Sequence, residues 1–169
     1  MAQDQERQLL RHLLATLAYR AAKVLRDTPP GFGDYADRAE RRTPVQLVAH
    51  MGDLMQWAIH MTKGEYKWRA EGSADWDKEV KRFFALMAEL DACFASDRPL
   101  GYPAEMLISG PLADALTHTG QLAMLRSGAG SPIRPESYAK AEIVVGRVGP
   151  DQAPPGKEFD GDASARRPK

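Results

Sequence analysis

Thr43-Pro44-Val45-Gln46-Leu47-Val48-Ala49-His50-Met51 carries a complete helix start. Thr43 and Gln46 form a Thr-x-x-Gln capping box, and Pro44 occupies the first helical position, where its missing N–H costs nothing. The stripe that follows, Leu47, His50, Met51, Leu54, Trp57, Ala58 and Met61, recurs at steps of three and four, and Gly64 marks its end. Working outward, Leu10, Leu13, Leu14, Leu17, Ala21, Val24 and Leu25 form one face of an earlier helix from Gln3 to Arg26, stopped by Pro29-Pro30. Downstream, Val80, Phe83, Phe84, Met87, Leu90 and Phe94 form a third stripe. Ser73 or Asp75 caps that helix, and Arg98-Pro99 stops it. A fourth segment runs from about Ala104 to Arg126, with a kink or restart expected at Gly110-Pro111 because an interior proline loses a hydrogen bond and clashes with the preceding turn. Four amphipathic segments, each with one stripe to bury, predict an all-α protein built as an antiparallel four-helix bundle over residues 1–130.

Residues 131–169 predict an extended, partly ordered C-terminal tail packing on that bundle. Of the 26 Gly and Pro residues, 12 fall in the last 43 positions, which argues against further helix. Only Ala141-Glu142-Ile143-Val144-Val145 is β-prone enough to lie extended against the helices, and weak order is expected beyond Pro150, over Asp151 to Gly156 and from Ala163 to Lys169 alike.

At 169 residues and 43% apolar, the chain has enough to fill one core. Lys plus Arg equals Asp plus Glu at 23 each, so no long-range field recommends a nucleic acid or an anionic membrane as partner. The first residues lack a signal peptide's apolar run, and no run approaches the roughly 18 residues of a membrane helix, which predicts a cytoplasmic protein. One cysteine, Cys93, excludes an internal disulfide and any multi-cysteine metal site, leaving histidine and carboxylate as ligands. No nucleophile elbow, phosphate-binding loop, dinucleotide fingerprint, His-Glu-x-x-His or calcium loop is present.

Four histidines remain to carry chemistry. His50 falls about 40° from the centre of its apolar stripe, whereas His60 lies about 120° away and His12 is similarly remote, which makes those two solvated surface residues. On the fourth segment Asp114, His118, Gln121 and Leu125 follow at steps of four, three and four, all on the side that faces the core. The four-residue step brings Asp114 and His118 close enough for one cation, and His50 from another helix completes three ligands. Two imidazoles and a carboxylate suit Zn, Ni or Fe with open positions for water or substrate. The alternative reading needs no metal: Asp114 is a favourable charge in a first helical turn, and His50 and His118 are hydrogen-bonded core histidines. Trp57 reads as packing and Cys93 as an inert, half-buried thiol.

The segment Thr43 to Met51, together with Asp114-Ala115-Leu116-Thr117-His118-Thr119-Gly120-Gln121-Leu122, resembles the DinB-like family, named for damage-inducible bacterial proteins. In that family a histidine soon after a Thr-Pro start joins a His-x-x-x-His pair followed by Gly-Gln-Leu, and together they hold a divalent metal in a four-helix bundle. His50 and His118 match directly, and the likeness spans about Gln3 to Arg126. Asp114 stands where the family has the first histidine of the pair, keeping the ligand count and altering the charge. The resemblance implies metal-dependent chemistry on a small-molecule substrate, as a hydrolase or as a transferase using a low-molecular-weight thiol such as mycothiol or bacillithiol. Against it stands a non-catalytic helical interaction module, in which the inward polar groups only fix packing. A homodimer is expected if the chain is such an interaction module rather than an enzyme.

Overall fold

A computed structural model describes residues 2–39 and 41–159, and among them the protein is all-α with no strand. The four expected helical stretches are present. Helix α1 covers Ala2–Leu25, α2 Pro44–Thr62 and α3 Trp76–Ala95, while the fourth stretch divides into α4, Ala104–Leu107, and α5, Ala113–Gly128. Helices α1 and α2 each pack on both α3 and α5. One continuous core lies between them, with Leu14, Met51, Met55, Phe83, Phe94 and Leu122 sealed from solvent.

The helix boundaries follow from local chemistry. Gln46 Oε1 accepts from the Thr43 N–H at 2.9 Å, closing the capping box before α2. Asp75 caps α3 by accepting from the Lys78 N–H at 3.0 Å, while Ser73, the other candidate, donates its hydroxyl and its N–H to Glu79 instead. At Pro111 the fourth stretch neither stops nor restarts: Ile108–Leu112 widens into a π-helical turn joining α4 to α5. Proline cannot donate to the ladder and its ring crowds the preceding turn, so the helix takes in one extra residue. Each extra residue resets the angular register by about 100°, so this turn decides which way the first residues of α5 point.

The C-terminal segment departs from the weak order expected beyond Pro150. Residues 151–159 are tied back: Ser137 N–H donates to Lys157 O at 2.9 Å and Phe159 N–H to Pro135 O at 2.8 Å. Val148 is buried in the helical core. Lys23 on α1 lies 2.7 Å from Glu136 and 2.8 Å from Glu158, and the Tyr19 hydroxyl donates to Glu136 at 2.7 Å. The run 141–145 is irregular rather than a strand, with Val144 exposed. The expected loose end, 163–169, lies outside the described residues.

This clasp carries a pH signature. Burial pushes the Glu136 pKa up, but hydrogen bonds from Lys23, Tyr19 and the Gly156 N–H, with the Lys23 charge, outweigh it and hold the carboxyl below the ordinary range. A carboxylate depressed in the folded state stabilises fully above its unfolded pKa of about 4.3, and that contribution is lost as pH falls through the lower folded value. The gap in urea midpoint between wild type and Glu136→Gln should therefore be constant above about pH 4.3 and shrink below it. A gap that stays flat into stronger acid would show that Glu136 is not held this way.

Candidate metal centre

His50 lies two turns into α2, and the capped start fixes its rotation about the helix axis. Asp114 and His118 stand one turn apart on α5, directly after the π turn. The three meet. Nε2 of His50 and Nε2 of His118 lie 3.5 and 3.3 Å from the two oxygens of Asp114, and one donor atom from each residue falls within 4.8 Å of the others. Ligands at roughly 2.0–2.1 Å around a tetrahedral ion stand about 3.4 Å apart, which the two carboxylate–imidazole separations match.

Neighbouring groups orient both rings. Nδ1 of His118 lies 2.7 Å from Gln121 Oε1, which leaves Nε2 as the ring nitrogen on the Asp114 side. Burial pushes the His50 pKa below the ordinary histidine value, and the charges of Arg42 and His118 act the same way, while Asp114 opposes them. At neutral pH His50 is thus unprotonated and able to coordinate. The two rings meet nearly edge-on with centroids 4.9 Å apart, and Trp68 packs against His50 at 5.5 Å.

Trp68 belongs to the loop between α2 and α3, which a buried polar network holds in place. Arg82 on α3 donates to Ala49 O at 2.7 Å and Asp53 at 2.9 Å, both on α2, and to Glu79 at 2.6 Å. Asp53 and Glu79 in turn accept from the loop's Glu71 and Ser73 N–H groups. Gly52 makes this possible, since a Cβ there would stand 2.7 Å from the Arg82 guanidinium.

The cluster opens on a cleft of about 730 Å³ between the start of α2, α5 and the loop before α2. Its position corrects one expectation. Among the inward-facing series on the fourth stretch, His118 and Leu125 are buried, but the Asp114 side chain is 45% exposed and Gln121 is exposed. The polar residues line the rim of a cleft, where solvent satisfies what the protein does not.

The remaining candidates lie apart. His12 is exposed, and His60 is half-buried with its Nδ1 3.0 Å from Glu65. Cys93 is half-buried at the edge of the core and contacts no histidine of the cluster. Trp57 packs on the core and against Tyr66 and Trp68. Sequence reasoning missed Trp68, Tyr35 and Arg42, which sit in irregular loops where no periodicity points to a face. No helix among the described residues is long and apolar enough to cross a membrane. Comparison with protein-family models, with curated proteins and with solved structures gives no significant match for this chain.

Proposed function

We propose that the chain is an antiparallel four-helix bundle of DinB-like type that binds a divalent metal through His50, Asp114 and His118 and uses it in thiol-transfer or hydrolytic chemistry. The observation that carries this reading is the convergence of three donor groups from two helices at the edge of one cleft. Zn, Ni or Fe suits the donor set. When bound, such an ion lowers the pKa of a coordinated thiol or water and so makes a nucleophile available at neutral pH. The protein's own contribution is placement: Asp114 supplies the negative charge, Gln121 contacts Nδ1 of His118, Trp68 packs against His50, and Leu47 lines the cleft beside them.

Zinc-loaded protein should accelerate conjugation of a chromophoric electrophile with at least one of mycothiol, bacillithiol and glutathione. Rates equal to the protein-free reaction for all three would remove the transferase reading. A metal-free interaction module is the second reading. It is favoured by Asp114 standing 3.5 and 3.3 Å from Nε2 of His50 and of His118, a contact that an N–H on either ring makes to the carboxylate with no ion.

A further inference from the structure

The cleft has a charge pattern that selects its ligand. Arg41 and Arg42, just before α2, line it together with Leu47, Met124 and Leu125. Arg41 is already matched, with its guanidinium 2.6 Å from Asp37. Arg42 has no carboxylate within ion-pair distance among the described residues, yet it lies near enough to His50 for its charge to act on that ring. Met124, in the same lining, is 72% exposed and so offers its apolar side chain to a ligand.

Resting on the metal-centre reading, we propose that this cleft takes a small carboxylate with an apolar body: the carboxylate on Arg42, the body against Leu47 and Met124, and a donor atom toward the metal centre. With Arg41 paired to Asp37, Arg42 is the arginine of the lining that has no carboxylate within ion-pair distance among the described residues. A single guanidinium fork matches the geometry and the single charge of a carboxylate.

The test uses tag-free, full-length protein loaded with Co(II) and two near-isosteric thiols, 4-mercaptobenzoate and the neutral 4-mercaptobenzamide, titrated by the change in the cobalt spectrum. Wild type should bind the carboxylate about three- to tenfold more tightly, as suits a partly solvated charge pair. Arg42→Gln should abolish the preference while leaving cobalt uptake intact, and Arg42→Lys should keep part of it. Equal binding of the two thiols, or a preference unchanged in Arg42→Gln, overturns the assignment. Inorganic phosphate displacing the probe more effectively than benzoate overturns the choice of carboxylate. Failure to take up cobalt is visible before any thiol is added, and it overturns the metal reading itself.

Discussion

Replacing His118 with alanine should strip the protein of its metal. Wild type purified without a histidine tag should carry a divalent ion near one equivalent, and His118→Ala should fall to background. His118 is the most buried of the three donors, and among the described residues no other histidine, cysteine or carboxylate groups with the cluster to replace it. Gln121→Leu leaves all three donors in place but frees the His118 ring to turn. Loss of such a supporting hydrogen bond typically lowers metal affinity by about 10–100-fold, and losing the ligand itself should exceed that range. Metal analysis with competitive chelation gives both values. Equal metal content in wild type and His118→Ala would remove His118 from the centre.

The largest loss of stability should come from a residue remote from that cluster. Arg126 is buried near the end of α5, and its guanidinium donates to Val24, Arg26 and Asp27 carbonyls at 3.0, 2.7 and 3.1 Å. It also reaches the carbonyl and hydroxyl of Ser131 at 2.9 and 2.7 Å. One side chain therefore satisfies the orphan carbonyls at the C-terminus of α1 and fixes the turn that leaves α5. Arg126→Ala leaves several buried acceptors unpaired at once and should cost about 3 kcal/mol or more. For a domain of this size that is a Tm lower by roughly 6–12 °C. Arg126→Lys keeps the charge without the fork and should recover only part of the loss. A Tm within about 2 °C of wild type for Arg126→Ala would show that water replaces these bonds at little cost.

Those two residues also mark the limits of sequence reading. The four helices were legible because each buries one stripe at helical spacing, and the capping box announced α2 residue by residue. His50, Asp114 and His118 were legible in part from a step of four on one helix and a near-stripe histidine on another, a weak signal alone, and in part from the resemblance of their two segments to the DinB-like pattern. The π turn was visible only as a disturbance at Pro111, since sequence does not say whether a proline kinks a helix, restarts it or widens it. Asp114 and Gln121 were expected to face inward, but angle alone does not distinguish a core from the wall of a cleft. Arg126 joins carbonyls about a hundred residues away, and Lys23 joins Glu136 and Glu158 over similar separations. Such pairings leave no local trace. Arg42 and Trp68, which complete the surroundings of His50, come from loops whose course is set by tertiary contacts such as the Arg82 network.

Asp114 is where the metal reading and the metal-free reading part most sharply. As a ligand it neutralises one of the cation's two charges. As a charge in the first turn of α5 it would contribute only about 0.3–1 kcal/mol through the helix dipole. Titration of Co(II) or Zn into tag-free wild type, Asp114→Ala and Asp114→His decides between them. Three ligands from two helices predict that Asp114→Ala binds far more weakly than wild type, while Asp114→His, which restores a third donor, binds within about tenfold of it. Indistinguishable binding by wild type and Asp114→Ala would contradict the account, because His50 and His118 alone are too few protein ligands for the open three-ligand centre.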